Sequence, residues 1–296
     1  MPAAERLPPL SERQEDGPGS PDGPDSDSAG VLELLKRGEL TVRGRLRDAS
    51  NATLYCTVEL DGTAATCVYK PVAGERPLWD FPDGTLAERE QAAREVSVAT
   101  GWHLVPPTVL RESGPHGPGM CQLWIDPPEP PTEIPELLAL HEGDDPQGIG
   151  PGWLPIAPAR LNEGTTGWLV HADDGRLRRL AVLDVVLNNA DRKGGHLLPA
   201  PDGRLHAIDH GVTFAVEDKL RTLLWGWAGQ PLPEEALRVL RQLSANLDGG
   251  PLGGRLAELL TAEEVAATRA RVAGLLDTAR HPEPSGEWPS IPWPPV

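Results

Sequence analysis

Residues 180–214, LAVLDVVLNNADRKGGHLLPAPDGRLHAIDHGVTF, constrain the fold more than any other stretch of this chain. They read as an apolar helix, a polar loop opened by Asn188, Asn189 and Asp191, and then a hairpin. The hairpin has a short strand at 196–198 and a turn signal at Pro201, Asp202 and Gly203. A return strand at 205–208 then delivers Asp209, His210 and Gly211, with Gly211 expected to allow the turn behind the aspartate. Asp191 and Asp209 are thereby expected at the mouths of adjacent strands. Alone, Asp-Arg-Lys is a plain charged loop and Asp-His-Gly a plain turn. Both together, across one hairpin, point to a site that handles a proton and a metal.

The chain before this stretch changes character three times. Residues 1–30 are Pro, Gly, Ser and acid with almost nothing to bury, the composition of a disordered tail. A short helix over 31–37 closes at Gly38. From 39 to 71 the apolar period becomes two, with strands at 40–46, 53–60 and 64–70. A loop at 47–51 and the turn signal Asp61-Gly62 make them an antiparallel meander. Thr85 followed by Glu88 is a capping-box signature for a helix running to about residue 100 and stopping at Gly101. Strands at 108–111 and 120–125 lead into Asp126-Pro-Pro-Glu-Pro-Pro, a stiff connector suited to separating two lobes.

The signals after the connector are weaker. Residues 134–141 read as a helix and 142–158 as a Gly/Pro-rich loop carrying Trp153. Beyond the hairpin, helices are expected at 219–224, 234–247, 254–260 and 262–279, followed by an extended proline-rich segment over 282–296. The tryptophans at 102, 124, 153, 168, 225 and 227 read as core or lobe-packing residues rather than a substrate platform.

Charge narrows the partners. With 27 basic and 44 acidic residues the net charge is −17, a field that repels nucleic-acid backbones and anionic bilayers. Neither nucleic acid nor a stable membrane association is expected. Cys56, Cys67 and Cys121 are odd in number and lack metal-ligand spacing, so they read as buried free thiols. No apolar run has the length of a membrane span and no signal-peptide order opens the chain; a cytoplasmic location is the expectation.

Phosphoryl transfer needs a cation on the donor phosphates, a metal held by oxygen ligands, a base near the acceptor and a loop that cradles phosphate. Lys70 ends a strand in an apolar lobe, and Glu90 on the following helix is placed to pair with it, although Glu88 and Glu95 share that helix. Ser50 and Asn51, between the first two strands, form either a phosphate cradle or a loose turn. Asp191 would accept or orient the proton of a hydroxyl. Asp209 would be the main metal ligand and His196 a second one.

The segments CVYKP at Lys70, LAEREQAA at Glu90, LVPPTVL at 104–110, GPGMCQLWI at 117–125, NNADRKGGHLL at 188–198 and AIDHGVTF at 207–214 carry a resemblance. The chain resembles the phosphatidylinositol 3- and 4-kinase-like branch of the protein-kinase-like superfamily. More closely, it is similar to an actinobacterial family described by that distant similarity. The resemblance spans roughly residues 40–230, and its last two segments are the specific ones. It implies an α+β, two-lobed protein-kinase-like fold with a small antiparallel-sheet N-lobe and a mainly helical C-lobe. The tail would occupy 1–30, the N-lobe 31–126, the C-lobe 127–281 and the proline-rich tail 282–296.

By the same resemblance Lys70 contacts ATP phosphates, Glu90 holds the lysine, and Gln122, Leu123 and Trp124 form the adenine-facing hinge. Asp191 would be catalytic, with Asp209 and His196 on Mg2+ or Mn2+. His196 stands where that family carries a metal-binding asparagine. The expected activity is ATP-dependent transfer to a protein or a small polar hydroxyl compound, since no basic lipid-facing segment follows Gly211. The alternatives are a nucleotide-binding pseudokinase, a protein nucleotidyltransferase, and a metal-dependent hydrolase that uses no nucleotide.

Overall fold

In the smaller lobe, helix α1 (Ala29–Arg37) buries Val31, Leu34 and Leu35 against a β-sheet. The structure, a computed structural model, describes residues 29–46, 51–82, 84–126, 137–162, 164–200, 202–286 and 288–295. The expected tail over 1–30 therefore lies almost wholly outside the described residues. The meander follows as β1 (Glu39–Arg45), β2 (Leu54–Leu60) and β3 (Thr63–Pro71). Asp61 and Gly62 have φ of 51° and 79°, two left-handed residues in a row, as a tight two-residue hairpin turn requires.

Strands β4 (Thr108–Arg111) and β5 (Gly119–Leu123) complete a five-stranded antiparallel sheet in the order β1-β2-β3-β5-β4. Arg111 spans the layers: its guanidinium donates to the Leu35 carbonyl at 2.5 Å and the Gly38 carbonyl at 2.8 Å. It thereby satisfies carbonyls at the end of α1 that the helix leaves unpaired. Cys56, Cys67 and Cys121 are buried free thiols in this core.

Helix α2 (Leu86–Ala99) starts as the capping box requires. The Thr85 hydroxyl accepts from the Glu88 N–H at 3.1 Å, and the Glu88 carboxylate accepts from the Thr85 N–H at 2.8 Å. Glu75, from the loop after β3, adds its carboxylate to the N–H groups of Leu86 and Ala87, where the helix dipole favours a negative charge. Ala92, Ala93 and Val96 belong to the core of the larger lobe. This helix is the packing link between the lobes.

The larger lobe departs from expectation at its start. Residues 138–141, expected within a helix, belong to strand β6 (Leu138–Glu142), while 134–136 lie outside the described residues. The presumed loop over 142–158 contains the start of β7 (Trp153–Asn162), which pairs with β8 (Thr165–Ala172) in a sheet of order β6-β8-β7. Pro155 and Pro158 made β7 read as loop. Both are tolerated because β7 is an edge strand whose register shifts between Pro155 and Ala157. Five residues are too few to sustain a helix against that pairing.

Helix α3 (Gly175–Leu187) is capped by the Asp174 carboxylate and buries Leu177, Leu180, Leu183 and Leu187 at the centre of the lobe. It leads to the hairpin β9 (Leu197–Pro199) and β10 (Leu205–Ala207). Residues 219–224 are not the expected helix. Their backbone N–H groups are taken from outside: Lys219 donates to Asn188 Oδ1, Arg221 to the Asn189 carbonyl and Thr222 to the Ser290 carbonyl. Helices α4 (Glu234–Gly249), α5 (Pro251–Ala257) and α6 (Ala262–Thr278) close the lobe. The α5 helix begins three residues before the expected start, with Pro251 in its first turn, where a missing N–H costs nothing. Trp227 is buried and packs on His171 at 4.3 Å between ring centres. Among the described residues, no helix is long and apolar enough to cross a membrane.

Candidate active site

The loop after α3 is held by a buried ion pair. Asn188 ends the helix in the left-handed conformation, which asparagine adopts more readily than other non-glycine residues. Four residues on, the Arg192 guanidinium lies fully buried against the Asp184 carboxylate, at 3.0 to 3.1 Å through Nε and Nη2. Asp184 also accepts from Asn189 at 3.0 Å and Thr222 at 3.3 Å. Arg192 donates to the Ile208 carbonyl at 2.9 Å and meets His210 Nε2 at 2.6 Å. The first aspartate loop is thereby bolted to the second.

Asp191 stands partly exposed beside this scaffold. Its N–H donates to Asn189 Oδ1 at 2.9 Å, and its carboxylate pairs with Lys193 at 2.9 Å. Burial pushes its carboxyl above the ordinary carboxylate range, with Lys193 acting in the opposite direction. A carboxylate of raised basicity is what a proton acceptor near neutral pH needs.

Three further groups converge from separate elements. Lys70, near the end of β3, donates to Glu90 Oε1 at 2.7 Å and to Asp209 Oδ1 at 2.9 Å. Glu90 is buried on α2, and its second oxygen accepts from the His210 N–H at 3.0 Å. Of the three candidate glutamates, Glu88 is consumed by the helix cap and Glu95 by Gln91 and Arg255; Glu90 alone reaches the lysine. Burial works to lower Lys70, but Asp209 and Glu90 more than reverse it and keep the ammonium charged well above its ordinary pKa. The same lysine holds Asp209 well below the usual carboxylate range.

Asp209 itself has φ of 61°, so the left-handed turn falls on the aspartate and not on Gly211. Gly211 has a different reason: a Cβ there would lie 3.3 Å from Leu86 Cβ at the start of α2. His196, in a 3₁₀ turn over Gly194–His196, brings Nε2 to 3.5 Å from Asp209 Oδ2. Burial lowers its pKa to about 4, so the imidazole is neutral and free to act as a nitrogen ligand.

Asn51, Gln122, Leu123 and Trp124 spend their polar groups on partners outside this cluster. Ser50 lies outside the described residues. Asn51 Oδ1 accepts from the Arg76 N–H at 3.0 Å, which ties its loop to the segment after β3. The Gln122 amide is buried and donates to Thr108 Oγ1 at 2.8 Å, inside the sheet. Leu123 and Trp124 donate their N–H groups to the carbonyls of Pro107 and Thr66, and the Trp124 ring meets Tyr55 edge-on at 5.0 Å. These three residues end the N-lobe sheet on the side leading to the connector.

Sequence reading passed over Asp184, Arg192 and His210. The available signal was Asp184, a charge on the buried face of α3, which demands a partner.

The donor set for a cation is one carboxylate and one imidazole. Among the described residues, no group of three or more His, Cys, Asp or Glu forms a cation cage. Asp209 and His196 offer two ligands, which fits an ion that keeps waters and takes phosphate oxygens for the rest.

No family model matches the chain. It is 50% identical over 266 residues to Protein Rv2133c of Mycobacterium tuberculosis, covering 88% of this chain and 94% of that protein. The chain belongs to the Rv2133c family. A shorter similarity, 35% identity over 81 residues, links it to phosphatidylinositol 4-kinase gamma 3 of Arabidopsis thaliana, over 25% of this chain and 14% of that one. Among solved structures, the Golgi casein kinase with Mn/ADP bound matches with a TM-score of 0.52 at 14% identity, over 86% of this chain and 80% of that one. Hydra Fam20 with sugar matches with a TM-score of 0.52 at 14% identity, over 86% of this chain and 89% of that one. At such identity the likeness is one of fold: this chain has the two-lobed kinase-like fold.

Proposed function

We propose that the protein is an ATP- and divalent-metal-dependent phosphotransferase whose acceptor is a hydroxyl on a protein or a small polar molecule. The observation that carries this reading is the convergence on Lys70 of Glu90 at 2.7 Å and Asp209 at 2.9 Å. They bring one cation and two carboxylates together from β3, α2 and the end of a hairpin 139 residues downstream. The Mn/ADP-bound Golgi casein kinase of like fold and the short phosphatidylinositol 4-kinase similarity support a nucleotide and a metal here.

In this reading Lys70 binds donor phosphates, with Glu90 fixing its position. Asp209 and His196 would hold the metal, which supplies charge neutralisation on the phosphates when bound. Asp191 receives the acceptor hydroxyl proton, and the loop that carries it is kept in place by Arg192. The phosphate side is assigned to the loop that carries Asn51 and the adenine side to the strand end at Leu123 and Trp124, with the Gln122 amide turned away into the sheet. Net charge of −17 argues against a lipid-surface or nucleic-acid acceptor. The unpaired Cys56 and Cys67, cross-strand neighbours in β2 and β3, support a reducing compartment, the cytoplasm.

The test is ATP turnover and autophosphorylation with Mg2+ or Mn2+, comparing wild type with Asp191→Asn and Asp209→Asn. Each variant should lose at least about 100-fold in rate, the scale of general-base and charge-stabilising contributions. Turnover that persists unchanged in both would sink the assignment. Mass spectrometry of the product separates phosphoryl from AMP addition.

His196 favours one second reading, a pseudokinase that binds nucleotide without transferring phosphate, because magnesium prefers oxygen to imidazole nitrogen. Under it, His196→Asn creates activity that the native chain lacks.

A further inference from the structure

The proline-rich C-terminal segment does not trail from the last helix. It runs beside the aspartate loop, and its backbone carbonyls are spent on that loop's neighbours. Pro289 and Ile291 accept from the Arg221 guanidinium at 3.0 and 3.3 Å. Ser290 accepts from the Thr222 N–H at 3.0 Å and the Trp225 indole N–H at 2.8 Å. Pro295 accepts from the Gly194 N–H at 2.9 Å. Gly194 lies between Asp191 and His196, in the Gly-Gly pair that gives this loop its greatest freedom.

The same segment reaches the other lobe. Trp288 stacks on Trp79, from the loop after β3, with ring centres 6.5 Å apart and planes at 26°. Lys219 is buried beneath this pair, 5.4 Å from the Trp288 ring, 5.6 Å from Trp79 and 5.1 Å from Phe81. It also donates to the Asp80 carbonyl at 3.0 Å. In turn the Lys219 N–H donates to Asn188 Oδ1, the Arg221 N–H to the Asn189 carbonyl, and the Arg192 N–H to the Arg221 carbonyl. One strand of chain therefore touches both lobes and the loop that carries Asp191 and His196.

We propose that residues 288–295 are a positioning strap: they restrain the Gly194-Gly195 pair so that Asp191 and His196 keep their alignment, and they tie the two lobes through Trp79. A glycine pair loses more conformational entropy on ordering than any other residues, so an external acceptor on the Gly194 N–H adds to the restraint that the His196 N–H to Lys193 carbonyl and Ile208 N–H to His196 carbonyl bonds supply. Acting through the loop and not on the reacting atoms, the strap should govern the rate constant and leave nucleotide affinity nearly intact.

The proposal rests on the phosphotransferase reading for its rate effect, and hydrogen exchange tests it separately. Three proteins are compared: the full chain, a chain ending at Ser285, and full-length Trp288→Ala. Amide exchange over residues 189–197 should rise at least tenfold in both variants, with α3 unchanged. The kcat for ATP should fall at least tenfold, while the affinity for ADP with Mn2+, read by thermal shift, stays within threefold. A peptide of residues 286–296 added in trans should restore rate and protection to the shortened chain.

Unchanged exchange over 189–197 in both variants overturns the strap, whatever the turnover. Parallel loss of ADP affinity and rate overturns the positioning role and leaves a merely structural one. If the shortened chain does not fold, Trp288→Ala decides alone. A full chain that shows no turnover defeats the phosphotransferase reading, and the exchange comparison still decides the strap.

Discussion

Arg192 shows how one side chain can serve a site without facing it. Its guanidinium and the Asp184 carboxylate are both fully buried, and they share Asn189, Thr222 and His210 as further partners. Removing one partner of such a pair leaves an uncompensated buried charge. Arg192→Met should therefore cost about 3–5 kcal/mol, read as a lowered urea midpoint at unchanged slope. A cost under about 1 kcal/mol would mean the pair is relaxed by water. Lys70, Glu90, Asp191 and Asp209 could be picked out from their order along the chain, because each sits at the end or on the face of a strongly patterned element. Arg192 could not, because between Asp191 and Lys193 it looks like one more loop charge. Gln122 shows the converse: its place in the hinge-like strand is as expected, while its amide is turned into the sheet toward Thr108.

At the scale of elements, local chemistry succeeded where it acts alone. The Thr85–Glu88 box starts α2 at the expected residue because both hydrogen bonds close within four residues of chain. It failed at β7 and at 219–224, where partners remote in sequence decide. The β7–β8 pair is fastened to the lobe at Gly226, whose N–H donates to Nε2 of His171 on β8 at 3.0 Å. A Cβ on Gly226 would meet that imidazole and Leu154 Cβ, the latter at 2.5 Å. Gly226→Ala should destabilise the protein by about 1–3 kcal/mol, the cost of overpacking a full site, measured by thermal unfolding. An unchanged melting temperature would show that β7 moves freely over the 3₁₀ turn at Trp225–Trp227.

For the molecule as a whole, stability should depend on pH through buried neutral histidines. His281 joins the C-terminal segment to the lobe: its N–H donates to the Gln230 carbonyl at 2.9 Å and its Nε2 accepts from Arg178 at 3.2 Å. Burial, aided by Arg178, depresses its pKa to about 4. His171, held between the Ala172 carbonyl and the Gly226 N–H, is depressed by burial as well. A depressed folded-state pKa means the unfolded chain binds the proton first. The stabilisation is complete above about pH 6.5, the unfolded value, and is lost as pH falls towards 4. His281 should account for about 2–3 kcal/mol of that loss. His281→Gln should flatten the fall in melting temperature between pH 6.5 and 4.5; an equally steep fall would assign it elsewhere. The lobes are joined by charge as well as by α2: Arg89 pairs with Glu264 at 2.6 Å, both buried, and donates to the Thr213 carbonyl at 2.9 Å.

By itself the amino-acid sequence determined the meander, the capped α2, the α3 helix and the two-aspartate hairpin. Each is specified by a period, a cap or a turn lying within a few residues of chain. It also determined the order in which a lysine, a glutamate and two aspartates are presented. Only the tertiary structure decided that Glu90 and not Glu88 or Glu95 meets Lys70, and that Asp184 holds Arg192 beneath the loop. It alone turned two prolines into an edge strand and the C-terminal segment into a strap across the cleft. Those outcomes depend on hydrogen bonds and ion pairs between residues 8 positions apart at Asp184 and Arg192, 20 at Lys70 and Glu90, and 70 at Arg221 and Ile291. No local pattern encodes which of several equivalent partners packing will bring within 3 Å.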